Sequence, residues 1–272
     1  MVDGTRVGTL CIMDAKPREF GVDELALLGD LARWAERELG EAMDRGRTRM
    51  ALDGLAPEPV EVLGHSLDVL AAQHDAGGGD VADWRVAPDG ALHVTVGRVT
   101  AAGPASGLLA AAVHGAVVAR TGTAMQDAIG GLEAQITADL SAADAVGSLF
   151  HLRLDPTTGH ADFGDAGHGL AVLVRADGTG RTLHSLDLPL GLQPPSIPRS
   201  PGVLELGPGD RLVVCTQGVL TLDGLRHLDD LADLVRSTSD GAAVVERVRA
   251  LMPEGVGVGV GVDVTLVVLT RR

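Results

Sequence analysis

Three short runs in the middle of the chain constrain its fold more than any other feature. Residues 146–154 and 170–175 are rich in Val and Leu, and residues 160–165, which follow directly on a turn signal, read as a third strand between them. Asp155-Pro156-Thr157-Thr158-Gly159 separates residues 146–154 from 160–165, and the run 170–175 stops at Ala176-Asp177-Gly178. Pro and Gly supply the backbone angles of tight turns, and Asp and Thr side chains bond the turning backbone. Strands joined this closely pair antiparallel, so the segment predicts a meander.

Helical and strand periods surround it. Over residues 23–50, Leu28, Leu31, Ala35, Leu39 and Ala42 recur at three- and four-residue spacing. Asp23 and Glu24 lie where carboxylates favour a helix start. The period suits a two-stranded coiled coil and a helix packed on a sheet equally, since it lasts only about three heptads. Gly54 and Pro57-Glu58-Pro59 then break the chain. Residues 60–74 and 91–99 read as strands, 104–119 and 123–140 as helices, and 210–216 as a buried strand. Residues 225–235 and 242–251 read as helices, and 263–269 as a closing strand. Residues 2–14 read as a hairpin around the Asp3-Gly4 turn. The expected fold is α+β: a two-sheet β-sandwich flanked by helices, preceded by that hairpin and a linker helix.

Composition narrows the function. The 272 residues hold 22 Lys+Arg against 37 Asp+Glu, a net charge of −15, which disfavours nucleic acid and anionic membranes as partners. Aromatics are 2% with no Tyr, so the core is aliphatic and no platform exists for stacking bases. No apolar run is long enough to span a bilayer, and the Gly-Val alternation of residues 255–261 reads as loop or strand. Cys11 and Cys215 sit in separate apolar runs and read as reduced, buried cysteines of a cytoplasmic protein.

Residues 77–83, Gly-Gly-Gly-Asp-Val-Ala-Asp, form a glycine-rich turn with two carboxylates. Such a turn is either a solvated connection or, with both acids pointing one way, a site for a hard cation such as Mg²⁺ or Mn²⁺. With six further segments it resembles the PPM-type serine/threonine phosphatases of the bacterial SpoIIE/RsbU-like branch. Those segments are residues 97–103 (Gly-Arg-Val-Thr-Ala-Ala-Gly), Asp165-Ala166-Gly167-His168, Leu188-Pro189-Leu190-Gly191, Gly207-Pro208-Gly209-Asp210, Cys215-Thr216-Gln217-Gly218 and Val262-Asp263-Val264-Thr265. Their order across residues 55–272 implies the αββα sandwich of that family. Residues 8–14 (Gly-Thr-Leu-Cys-Ile-Met-Asp) with Pro17-Arg18-Glu19-Phe20 resemble the end of a GAF sensory domain. Residues 1–22 are then its C-terminal remnant, without a ligand pocket, and residues 23–53 are a linker helix.

The resemblance implies two divalent ions held by acids of these motifs, which activate a water for attack on a phosphoryl group. Three of those positions have changed: Arg98, Gln217 and Val262 stand where the family has Asp. Asp80, Asp83 and Asp263 remain as a vestigial set. Arginine carries only donors and a permanent charge, and valine has no ligand atom. The expectation is a pseudophosphatase without a cofactor, in which Arg98 pairs with Asp80 in place of the metal charge. It would bind a protein, either an anti-anti-sigma factor of the STAS type or an active phosphatase. Leu28, Leu31, Ala35 and Leu39 would form a homo- or heterodimer seam. The alternatives are an active Mg²⁺- or Mn²⁺-dependent phosphoserine phosphatase with rearranged ligands, and a GAF-linked dimerising scaffold. His168 reads as a turn histidine bonded to backbone.

Overall fold

A computed structural model of the chain describes residues 8–9, 20–53, 62–72, 78–103, 105–183, 187–194, 196–252 and 262–272, with backbone alone for 41–42 and 44–53. The hairpin over residues 2–14 and the GAF-like segment lie almost wholly outside the described residues, as do the break at 54–59 and the Gly-Val run at 255–261. The chain divides into two compact units, Met1–Ala51 and Leu52–Arg272.

In the first unit, helix α1 runs Val22–Asp53, with Asp23 and Glu24 in its first turn. Leu28 and Ala35 are half-buried. Leu25, Leu31, Trp34, Leu39 and Met43 are exposed.

The second unit is a sandwich of two five-stranded antiparallel sheets. Its strands are β1 (His65–Ala72), β2 (Asp80–Val86), β3 (Leu92–Thr100), β4 (Val146–Leu154), β5 (His160–Ala166), β6 (Ala171–Val174), β7 (Gly180–Leu183), β8 (Gly202–Glu205), β9 (Arg211–Cys215) and β10 (Val264–Arg271). One sheet has the order β1-β10-β9-β6-β7 and the other β2-β3-β4-β5-β8. Helices α2 (Ala105–Val118) and α3 (Met125–Ala142) follow β3, and α4 (Leu228–Arg236) and α5 (Gly241–Ala250) precede β10.

Three apolar clusters hold the layers. The central one joins both sheets through Val94, Val96, Phe150 and Leu152 from one and Leu173, Val214, Val267 and Leu269 from the other. A second packs α4 and α5 on the β1-side sheet, with Leu231, Val235, Val244 and Val248 against Val172, Val213 and Leu266. The third packs α2 and α3 on the β2-side sheet, with Val113, Leu132 and Ile136 against Val81, Val99 and Leu149. Alternation along each strand supplies both faces.

The β4–β5 hairpin forms as its turn predicts: Asp155 Oδ1 accepts from the backbone N–H of Thr157, at 2.8 Å. The three-strand meander is corrected: after β5 the chain crosses to the other sheet, where β6 pairs with β7 and β9. Other expectations are corrected. The first strand is shorter than 60–74, and α4 begins three residues after 225. β2, β7 and β8 are strands the sequence reading lacked. β2 is polar, and β7 and β8 are four-residue strands with one fully buried side chain each.

Candidate functional site

At one end of the sandwich the two sheets meet through polar side chains. Asp80 opens β2 and pairs across the strands with Arg98 on β3, which pairs in turn with Ser148 on β4. Asp263 immediately precedes β10, and Thr265 lies on it. Thr216 follows β9 directly and is the N-cap residue of a short 3-10 helix, Gln217–Thr221. Close approach there requires glycine: a Cβ on Gly79 would lie 2.0 Å from the Val99 carbonyl oxygen, and one on Gly218 1.9 Å from that of Asp263.

Hydrogen bonds tie these residues across the sheets. Arg98 Nη1 donates to Asp80 Oδ1 at 2.8 Å and stands 3.7 Å from Asp263 Oδ2. Asp80 Oδ2 accepts from the hydroxyls of Thr216 (2.7 Å) and Thr265 (2.8 Å). Asp263 Oδ2 accepts from the backbone N–H of Gly79 (2.7 Å) and Asp80 (3.2 Å). Both aspartates are buried, and the Arg98 side chain keeps 25% of its surface. Burial and then the charge of Asp263 push the Asp80 carboxyl up to about 6, against the pull of Thr216, Arg98 and Thr265.

Beside this cluster, His168 Nε2 donates to the Cys215 carbonyl at 2.9 Å, which leaves Nδ1 as acceptor, 3.5 Å from Ser148 Oγ. Burial pushes His168 down to about 4. Asp165 accepts from the backbone N–H of His168 (2.6 Å) and Gly169 (2.9 Å), fixing the turn. Cys215 is buried and its thiol is pushed up to about 12 by burial.

Of the six positions singled out in the sequence, the structure gathers three: Asp80, Arg98 and Asp263. Gln217 is exposed at the start of the 3-10 helix, and Val262 is half-buried next to Asp263. Asp83 is corrected. Residues 80–83 form a strand, not a turn, so side chains three residues apart point to opposite faces. Asp80 faces the other sheet, and Asp83 faces α2. There Asp83 Oδ2 accepts from Arg85 Nε at 2.7 Å, Arg85 Nη2 closes a second bond, and His114 Nε2 lies 3.1 Å from Oδ1. Burial alone would raise the Asp83 carboxyl, but these bonds outweigh it and hold it below the usual range. The sequence reading also missed Thr216 and Thr265. Their signal is a hydroxyl residue inside each degenerate motif, just after β9 in one and on β10 in the other.

This donor set does not suit the divalent metals that the fold family implies. Both Asp80 oxygens already accept, one from a guanidinium and the other from two hydroxyls. A cation at Asp80 Oδ1 would have to displace Arg98, whose charge repels it. Among the described residues, no group of three or more His, Cys, Asp or Glu is arranged to hold a metal ion. A cavity of about 470 Å³, lined by Thr121, Thr123, Met125, Arg153 and Asp162 among others, shares no residue with the cluster.

Two antiparallel sheets with a helical pair on each outer face match the PPM-type phosphatase fold in solved structures. The RsbU and RsbW domains of Rv1364c from Mycobacterium tuberculosis align at 26% identity and a TM-score of 0.64, covering 79% of this chain and 63% of that one. RsbX in complex with magnesium aligns at 12% identity and a TM-score of 0.63, covering 78% and 98%. The PP2C phosphatase domain and regulatory fragment of SpoIIE from Bacillus subtilis align at 14% and 0.62, covering 76% and 61%. The chain thus spans under two thirds of the Rv1364c and SpoIIE chains. The family model for stage II sporulation protein E (SpoIIE) matches residues 88–272, and the chain belongs to that family. None of the curated proteins compared matches it. Among the described residues no helix is long and apolar enough to cross a membrane.

Proposed function

We propose that this SpoIIE-type domain acts by docking a protein rather than by hydrolysing a phosphoester. One observation carries the reading: the Arg98 guanidinium sits on Asp80, where the family resemblance places a bridging metal. Opposed buried carboxylates need a cation, and here the chain supplies its own. The partner is of the kind used in partner switching, a STAS-type anti-anti-sigma domain or an active SpoIIE-type phosphatase. The Rv1364c likeness supports this class, since RsbU and RsbW domains share that chain.

A second feature supports self-association. A helix of 32 residues in its own unit leaves Leu25, Leu31, Trp34 and Leu39 exposed. Single helices draw most of their stability from packing an apolar face. A seam of Leu28, Leu31, Ala35 and Leu39 against a second copy would supply it.

The test combines assay and reversion. With p-nitrophenyl phosphate or a phosphoserine peptide, the expected result is no Mn²⁺-dependent turnover and a melting temperature indifferent to Mn²⁺. The variant combining Arg98→Asp, Gln217→Asp and Val262→Asp should gain Mn²⁺-dependent stability, about 2.7 kcal/mol at a hundredfold excess over Kd. Turnover by the unmodified chain that disappears in Asp80→Ala would overturn the reading in favour of an active phosphatase. Isothermal titration with a STAS domain, and with an active SpoIIE-type phosphatase, tests docking; failure to bind either rejects it. Sedimentation that stays monomeric at high concentration rejects the α1 seam.

A further inference from the structure

Between the β2-side sheet and helices α2 and α3 lies a polar chain that the site does not use. His93 and Thr95 on β3 and His151 on β4 are buried, with at most 3% of their surface exposed. Thr95 Oγ1 is 2.7 Å from His151 Nδ1, and His151 Nε2 is 3.3 Å from His93 Nδ1. The imidazole centroids stand 5.4 Å apart. The far nitrogen of His93, Nε2, has no hydrogen-bond partner among the described residues.

One proton arrangement suits these contacts. The Thr95 hydroxyl donates to His151 Nδ1, and His151 Nε2–H donates to His93 Nδ1. His93 Nε2–H then ends the chain without an acceptor. The reverse direction would orphan the Thr95 hydroxyl hydrogen as well. An added proton reverses the chain: His93 Nδ1–H then donates to His151 Nε2, and His151 Nδ1–H to Thr95 Oγ1. The Thr95 hydroxyl hydrogen loses its acceptor, and the now charged His93 is buried with its Nε2–H unmet among the described residues.

The surroundings do not compensate such a charge. From β2, Asp83 is bonded to Arg85 and His114, the latter from α2. From the β2–β3 turn, Asp89 is bonded to Arg153 of β4 at 2.8 Å. Asp162 of β5 stands across from Arg153. α3 brings the apolar Met125 and Ile129 against Gly164, the cross-strand neighbour of His151. Asp83 and Asp89 therefore already serve guanidinium groups. Burial drives His151 down to about 3 and lowers His93, consistent with two neutral rings.

We propose that the Thr95–His151–His93 chain is an acid-sensitive latch. Neutral, it seats the α2–α3 layer on the sheet; when protonated, it releases that layer while the α4–α5 layer stays in place. The latter packs on the apolar Val172, Val213, Leu266 and Val268, and the imidazole at its helix end, His227, is the N-cap residue of α4, outside the sheet-facing cluster of Leu231 and Val235. α2 is reached from Arg98 through residues 99–104, so release would also disturb the site end.

Amide hydrogen exchange of the full chain at pH 7 and pH 5.5, corrected for intrinsic rates, tests this. A histidine that binds its proton only in the open state, with an ordinary value near 6.5, favours opening about tenfold at pH 5.5. Protection of Ala105–Val118 and Met125–Ala142 should fall by that factor or more, and that of Leu228–Arg236 and Gly241–Ala250 should not. His93→Gln and His151→Gln should each weaken the pH effect. If either variant fails to fold at pH 7, imidazole ¹⁵N titration of the unmodified chain decides. Both rings neutral at pH 5.5, with His151 protonated on Nε2, supports the latch. Rings titrating near 6.5 in the folded chain, or equal loss of protection in both helical layers, would overturn it.

Discussion

The two helical layers of the sandwich rest on their sheets through different chemistry. Under α4 and α5 the sheet offers Leu70, Val172, Val174, Val213, Cys215, Leu266 and Val268. Asp68, beside the start of α5, is the exception: a Cβ on Gly241 would lie 2.3 Å from its Oδ2. Under α2 and α3 the apolar contact of Val81, Val99 and Leu149 gives way along the same strands to Asp83, Thr95, His93 and His151. An apolar layer holds by area and is indifferent to pH. A polar layer holds by direction, and each unmade bond costs the desolvation of its partner. One sandwich therefore carries a layer held mainly by apolar area and a layer conditional on its polar bonds.

The sharpest break is expected in the apolar layer. Leu231 on α4 is fully buried, with 0% exposure. Leu231→Ala should cost about 2–5 kcal/mol through lost transfer energy and a residual cavity. Urea unfolding at pH 7.5 and pH 5.5 should give the same loss at both. A loss that changes with pH would mean that this layer too contains a titrating contact.

Asp83→Ala probes the other layer and should cost less, about 2–3 kcal/mol. Breaking a buried charge pair usually costs roughly 3–5 kcal/mol. Here the Arg85 side chain retains 31% of its surface and can return to water, whereas His114, at 16%, is left with less recourse. Urea unfolding measures the loss, and α2 exchange should rise more than α4 exchange. Equal stability of Asp83→Ala and the unmodified chain would show that the Arg85–Asp83–His114 group does not anchor α2.

Much of this fold was legible because turns punctuate it. Asp155–Gly159 and Ala176–Gly178 close the β4–β5 and β6–β7 hairpins, one in each sheet, and the helical periods of residues 104–140 survive nearly unchanged as α2 and α3. The crossing between sheets after β5 was not legible, because a short connection between two strand-like runs reads as a hairpin. β2 was illegible because Asp80, Asp83 and Arg85 make it look like a loop, although its alternate residues Ala82 and Trp84 face the central core. The same error misplaced Asp83. A turn can aim two acids three residues apart at one point, and a strand cannot. Arg98 and Asp263 were legible through their motifs, and the geometry brings both to Asp80. Thr216 and Thr265 were not, because a threonine in a strand usually reports β propensity alone. His93, Thr95 and His151 left a signal that pattern reading passes over. They occupy alternate, inward positions of otherwise apolar strands, where a polar residue must find a partner.

The smallest expected effect separates the buried imidazoles from the Asp80 carboxyl by the sign of their proton linkage. His151, His93 and His168 have folded values below the unfolded one, near 6.5. Their stabilisation is complete above that value and is lost as pH falls, because the unfolded chain takes up protons that the folded chain refuses. Asp80 acts oppositely. Its folded value, about 6, lies above the unfolded 3.8, so between these values the folded chain holds the extra proton and acidification stabilises it. Between pH 6 and pH 4 the Asp80 carboxyl thus offsets part of what these imidazoles lose. His151→Gln should lower the slope of stability against pH by up to one proton, about 1.4 kcal/mol per pH unit. Asp80→Asn should raise it by up to the same amount. Unfolding free energies from urea titrations at half-unit pH steps measure both. Slopes moving in the same direction in the two variants would mean that the layer and the site titrate as one network rather than as separate parts of the fold.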